Sequence, residues 1–387
     1  MIERLKKLLQ ENPSVSDWKL NIEKKESSEL FYVGKKLETN RAADVISYTL
    51  TVYTDKGEER GLSAFTVYPY MTDAELSEKI QENVFAASFA MNPYYDLPSG
   101  KDAVLPESRS NLREMTLKDA AEIVSDAVFA ADRYDGGLLS ATEIFLDRYD
   151  QRILNSRGVD LQAVTWLGSV ELIPSWEKDG EEVEIYHMLK FESIDASEIT
   201  AKVDEQLKIA AARFEAKPLG EVIDLATPVR VILQDEETKE VLSYFAEALT
   251  YEAKYHQQNL YEIGDPVQGD EVKGTVLNAT MVPYCKGAFQ SSFFDADGVI
   301  LKETPIIKDG VAVSLFGSYR FGRYLGETEP SGLLPILKVM PGTKPFSEMA
   351  KAPYLRCAVF SGIQVQAFSG YFGGEVRLGF YFDGEKE

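Results

Sequence analysis

The sequence predicts an α+β protein of two domains. Residues 1–217 read as helices packed on an antiparallel sheet, and residues 218–387 as a mainly antiparallel β-rich domain. Three observations lead there. Long stretches alternate apolar and polar residues with period two, as half-buried strands do. Separate stretches carry apolar residues at helical spacing. Lys217-Pro218-Leu219-Gly220 interrupts both patterns and marks the boundary between the halves.

The elements follow in order. Leu5, Leu8 and Leu9 form an apolar stripe on an opening helix over residues 1–10. From Trp18 to Pro69, runs of Val, Ile, Thr, Tyr and Phe, with the turn Asp55-Lys56-Gly57, predict an antiparallel meander. Thr72 and Glu75 make a capping box for a helix with Leu76, Ile80, Val84 and Ala87 inward, which Asn92-Pro93 ends. Residues 97–111 read as a loop. A second helix runs over 116–133 with Leu117, Ala121, Val124 and Val128 inward. Strands resume at Ser140, turn at Asn155-Ser156-Arg157-Gly158, and put Val183, Ile185, His187, Leu189 and Phe191 on one strand face. A third helix begins near Asp195 with Ile199, Val203, Leu207, Ala211 and Phe214 inward. The second half opens with a short buried strand, 229–233, and a helix over 236–255 with Val241, Leu242, Phe245 and Leu249 inward. Beyond it, Asp297-Gly298 and Asp309-Gly310 each sit between β-type runs as hairpin turns.

Composition narrows the function. The chain has 41 basic and 63 acidic residues, a net charge of −22. Such a charge repels phosphate, so neither nucleic acid nor an anionic membrane is an expected partner, whereas basic peptides are attracted at low salt. Two cysteines, Cys285 and Cys357, are too few for a disulfide framework and fit a reducing compartment. The N-terminus lacks the apolar core of a signal peptide, and no apolar run is long enough to span a bilayer, so the expected location is cytoplasmic.

Familiar catalytic patterns are missing. The two histidines, His187 and His256, lie 69 positions apart, whereas a helical zinc site needs two imidazoles one turn apart. His187 reads as a half-buried strand residue and His256 as a solvated helix-end charge. Cys357, in a strand-like run, reads as an inert buried thiol, and Cys285 is no more suggestive. There is no G-x-S-x-G elbow. Asp295-Ala296-Asp297-Gly298 resembles part of a calcium loop, but the outer ligand positions fall on Phe293 and Thr304, so a plain turn explains it. Gly370, Gly373, Gly374 and Gly379 lack the lysine of a phosphate loop. Glycines in strands mark bulges or close backbone approach, which either core packing or an added peptide strand could use. Among 20 Tyr, 20 Phe and 3 Trp, the C-terminal run Phe368, Tyr371, Phe372, Phe380, Tyr381, Phe382 stands out as core and interface material.

Several segments, in order, resemble the TldD/PmbA family, whose members were once described as modulators of DNA gyrase. They are Glu59-Arg60-Gly61-Leu62-Ser63, Asn92-Pro93-Tyr94, Ile153 to Gly158, Phe294 to Gly310, and Phe368-Ser369-Gly370-Tyr371-Phe372-Gly373-Gly374. The resemblance implies a two-subunit cytosolic peptidase acting on unfolded peptides. One subunit carries zinc on an H-E-x-x-x-H helix plus a cysteine. The other, the PmbA or TldE type, lacks zinc and completes the chamber. By a rough alignment the metal-motif positions fall here on Ser243, Tyr244 and Ala248. The chain therefore looks like the non-catalytic type, with no catalytic or metal residue of its own and zinc expected only in a TldD-type paralogue. It departs from that type in being short and in lacking an asparagine-containing segment between Gly332 and Gly342. Phe368, Gly370, Tyr371, Phe372 and Gly373 are the candidate peptide contacts. Two alternatives stay open: a stand-alone hydrolase using Cys357 or a carboxylate pair, and a homodimeric peptide-binding protein.

Overall fold

The structure is a computed structural model that describes residues 1–387 apart from 101, 106–108, 225, 227 and 367–368. In the first half, α1 (Ile2–Glu11) leads into the meander β1 (Asp17–Val33), β2 (Lys36–Lys56) and β3 (Glu59–Val67). Next come α2 (Asp73–Ala87), β4 (Met91–Pro93), β5 (Asp102–Val104) and α3 (Leu117–Phe129). The pair β6 (Gly137–Asn155) and β7 (Asp160–Lys178), the short β8 (Glu181–Glu184) and β9 (His187–Phe191), and α4 (Ala196–Phe214) complete this half. Its strands form one nine-stranded sheet in the order β4-β3-β2-β1-β6-β7-β5, with β8 and β9 also on β7.

One face of that sheet carries the helices. Alternation along β1 puts Leu20, Ile22 and Leu30 inward. Leu5, Leu9, Leu76 and Ile80 of α1 and α2 pack with Leu20, Leu50 and Val52. Val124, Val128, Val203 and Leu207 of α3 and α4 pack with Leu30, Ile144, Leu146 and Val170. Asn21, Glu23, Lys25 and Glu29 alternate onto the opposite, polar face.

The second half comprises β10 (Val231–Leu233), α5 (Asp235–Glu247), α6 (Tyr251–Tyr255), β11 (Ala279–Val282), β12 (Thr304–Lys308) and β13 (Val311–Ala312). It continues with α7 (Tyr319–Tyr324), β14 (Ile336–Val339), α8 (Phe346–Met349), β15 (Tyr354–Gln366) and β16 (Tyr371–Phe382). These strands make two small sheets, β10-β15-β16 and β13-β12-β11-β14. All pairings there are antiparallel except β10 on β15. The architecture is α+β, and among the described residues no strand of one half enters a sheet of the other.

The Thr72–Glu75 capping box forms, with the Thr72 amide donating to Glu75 Oε2 at 2.7 Å and the Glu75 amide to Thr72 Oγ1 at 3.3 Å. Several expectations are corrected. The α2 helix ends at Ala87, and Asn92-Pro93 sits in β4 instead of stopping the helix. The α3 helix stops at Phe129 rather than continuing to residue 133. On α4 it is Ala210, not Ala211, that is buried. The run from Val183 to Phe191 is two strands, because Ile185 and Tyr186 bridge between β8 and β9 where β7 carries Pro174. Residues 231–233 form a strand, but Val231 is 51% exposed, so it is a partly covered edge. The single helix over 236–255 is broken. Phe316 accepts from the Tyr251 amide and donates to the Leu249 carbonyl, and Thr250 becomes the N-cap of α6.

Gly61 shows how tightly α2 is seated on β3. A Cβ there would lie 2.0 Å from the Ala87 carbonyl oxygen, which is backbone and cannot rotate away. Gly61→Ala should therefore lower stability by about 2–3 kcal/mol in urea unfolding. Gly362→Ala, where a Cβ meets nothing within 4 Å, should change it by less than about 1 kcal/mol.

Candidate functional site

The most heavily built polar site is where the two halves meet, and its centre is Asp17 at the start of β1. Arg157 grips this carboxylate with two bonds, Nε to Oδ1 and Nη2 to Oδ2, both 2.8 Å. Ser156 Oγ donates to Oδ1 at 2.6 Å, and Arg60 Nη2 to Oδ2 at 2.8 Å. Burial pushes the Asp17 carboxyl up, but Arg157, Ser156 and Arg60 together hold it below the ordinary carboxylate range.

Arg60 on β3 is 1% exposed. Two further bonds run to Asp55, 2.7 and 2.8 Å. Tyr94, Tyr53 and Tyr95 surround its guanidinium with ring centroids at 4.5, 5.3 and 5.9 Å. Among the described residues Nη1 has no hydrogen-bond acceptor, and the ring faces take the place of water around it. Asn155 closes the β6–β7 turn: its Oδ1 accepts from the Arg157 and Val159 amides, and its Nδ2 donates to the Pro98 carbonyl.

The C-terminal half docks beside this network through Asp295 to Val299. Asp295 Oδ1 accepts from the Asp297 and Val299 amides, and Oδ2 from the Leu333 amide. Burial, with Asp297 nearby, still leaves the Asp295 carboxyl above its usual value. Three backbone amides and a one-residue bridge make this segment a tight turn rather than a cation loop. Lys19 Nζ reaches across to Asp297 Oδ1 at 2.7 Å. Gly298 has φ +89, and a Cβ on it would lie 2.9 Å from Val159 Cγ1. Phe294 packs with Ile153, Val159, Leu161 and Ala163. Arg323 to Asp96 at 2.8 Å, and Tyr324 edge-on to Tyr95 at 5.7 Å, tie in α7. A cleft of about 300 Å³ lies between the polar sheet face and this turn.

Sequence reasoning picked out other positions. Ser243 and Tyr244 are half-buried on α5, and Ala248 is its buried C-cap. Tyr244 stands edge-on to Phe245 at 5.3 Å, and burial plus the bonded Tyr244 push the Tyr261 phenol up to about 12. A hydroxyl, a phenol and a methyl are not a zinc donor set, so these residues do not fit the metal that the family implies. Among the described residues no three His, Cys, Asp or Glu side chains gather as a metal-ion site. His187 lies opposite Leu172 on the sheet, and His256 sits at the C-cap of α6 between the Tyr255 and Phe321 rings. Cys357 is 2% exposed, and burial pushes its thiol up, away from the thiolate a nucleophile needs.

Gly370, Tyr371, Phe372 and Gly373 form the turn and first residues of β16, with Tyr371 and Phe372 58% and 59% exposed. Phe368 lies outside the described residues. From Cys357, which neighbours α5, to Gln366 is roughly 30 Å of strand, so hairpin tip and α5 are not brought together. Arg60, Arg157 and Asp297 belonged to recognised motifs but had no partner in sequence. Asp17 and Tyr53 carried no local signal of a shared site and meet most of their partners through long-range pairing; Asp295 stood in a recognised turn, and of its three amide donors only Leu333 is distant.

The comparisons with known proteins bear on this geometry. Residues 226–387 match the family described as the PmbA/TldA metallopeptidase C-terminal domain. Residues 226–387 thus carry the C-terminal domain of that family. Three solved structures share the fold over 99% of this chain. TldE from Thermococcus kodakarensis has TM-score 0.76, 13% identity and 88% of its own length covered. A candidate modulator of a DNA gyrase from Thermotoga maritima has TM-score 0.74, 14% identity and 89% covered. A similarly described protein from Bacteroides thetaiotaomicron has TM-score 0.77, 13% identity and 86% covered. At such identities the likeness is one of fold. No curated protein matches in sequence. Most of the family-like motifs, Glu59 to Ser63, Asn92 to Tyr94, Ile153 to Gly158 and the 294–298 turn, converge on the Asp17 junction, and the Phe368 to Gly374 segment stands apart.

Arg60→Met should cost about 3–5 kcal/mol in denaturant unfolding, because it strips a cation from two carboxylates, one of them buried. Since Asp17 is depressed in the folded state, its contribution is full above about pH 4 and is lost as pH falls through its lower, folded value. Asp17→Asn should therefore be less stable at neutral pH and show a flatter acid limb, read from unfolding midpoints across the acid range.

Proposed function

We propose that this chain is the metal-free member of a two-subunit cytoplasmic peptidase. It pairs with a zinc-bearing TldD-type paralogue and helps enclose unfolded peptides. One feature supports the reading: by the rough alignment, Ser243 and Ala248 of α5 fall where the zinc-bearing type is expected to have its imidazoles. The chain then binds no cofactor, and zinc resides in the partner. Exposed Tyr371 and Phe372, with Gly370 and Gly373, are apolar contacts suited to peptide or partner. No helix among the described residues is long and apolar enough to cross a membrane. A homodimer of the isolated chain is compatible with this reading, because paralogous subunits share interface geometry. The stand-alone alternative through Cys357 is disfavoured by that thiol's burial.

Co-expression with a paralogue carrying H-E-x-x-x-H should yield a co-eluting complex. That complex should cleave unfolded peptides and lose activity on chelation, while this chain alone is inert with or without zinc. Two folded proteins that never associate, or chelator-resistant cleavage by this chain alone, would overturn the proposal.

A further inference from the structure

We propose that the cleft at the domain junction is a subsite for one lysine or arginine side chain of a bound peptide, with Glu23 as its charge partner. This rests on the peptide-binding reading above and adds a substrate class to it. The floor of the cleft is the polar face of β1 and β6, where Asn21 lies opposite Ile153 and Glu23 opposite Gln151. Phe294, Asp295 and Leu333 of the C-terminal half form its other wall. At about 300 Å³ it sits at the small end of ligand cavities, enough for one extended side chain with its backbone.

The charges around the cleft are unbalanced. Arg152 lines it but is bonded bidentately to Asp160, both contacts 2.7 Å. Lys19 is committed to Asp297, Lys24 to Glu26 and Asp44, and Lys25 to Asp147. Glu23 accepts only from the neutral Gln151 amide, at 3.2 Å, and has no salt-bridge partner among the described residues. Asp295, 8% exposed, adds a second carboxyl to the lining. The apolar walls Ile153, Phe294 and Leu333 suit a methylene stem, and Glu23 suits a cationic head. A neutral side chain would leave Glu23 unanswered, and an acidic one would be repelled.

The test uses the full-length chain and labelled, blocked tetrapeptides that differ at one position: Lys, Arg, norleucine or Glu. By fluorescence anisotropy, the Lys and Arg peptides should bind about tenfold tighter than norleucine, with Glu weakest. The margin should shrink at high salt. Glu23→Gln, which keeps size and shape, should bring Lys down to norleucine, and Leu333→Trp, at a position 58% exposed, should weaken the basic peptides by obstructing the cleft. Thermal unfolding checks that both variants fold. Equal binding of Lys and norleucine, no measurable binding of the Lys peptide, or a full preference surviving Glu23→Gln would overturn the subsite. Co-elution with the zinc-bearing paralogue is measured on the same variants. In the unaltered chain, equal binding of Lys and norleucine with intact pairing sinks the subsite alone; failed pairing with the Lys preference intact sinks the two-subunit reading alone.

Discussion

Everything at the domain junction is organised around one buried anion. Asp17 carries a charge where water cannot reach it, and such a charge is tolerable only if its lone pairs are filled by well-placed donors. Those donors come from β3 and from the β6–β7 turn, elements far apart in sequence that must all arrive in register. The β6–β7 turn then offers Val159 to Gly298, and β1 offers Lys19 to Asp297. The seat of the C-terminal half is thus set by residues that adjoin, on the same turn and strand, those that hold Asp17. An apolar junction could be equally stable, but it would tolerate small slides; bidentate guanidinium–carboxylate geometry does not.

The sheet has two faces with different tasks. The helix-covered face holds the two main apolar cores of the first half. The other face is polar and partly open, and it meets the C-terminal half along Ile153, Leu161 and Phe294. Acidic side chains on it, such as Glu29 and Glu143, are close enough that burial and mutual repulsion hold the Glu143 carboxyl above its usual value.

On α5 the fold and the chemistry separate. The helix packs Ala246 into the core of the second half and contacts β15, so its architectural role is intact. Ser243, Tyr244 and Ala248 on it supply a hydroxyl, a phenol and a methyl. Likeness of fold thus speaks for the scaffold, and the side chains it carries have to be read for themselves.

Much of this was legible in the sequence. The capping box at Thr72, the inward stripe Ile199-Val203-Leu207 and the Asp-Gly turns all depend on residues within a turn or two of each other. The break at Thr250, the two-strand split near Pro174 and the partners of Asp17 were not legible, because each depends on a neighbour distant in sequence. Lys19 and Asp297 are 278 positions apart, and only the closed tertiary structure makes them adjacent. Local pattern determined most of the elements and their inward faces; tertiary structure decided where several of them break and which charges meet, because pairing across such distances depends on packing that no short window contains.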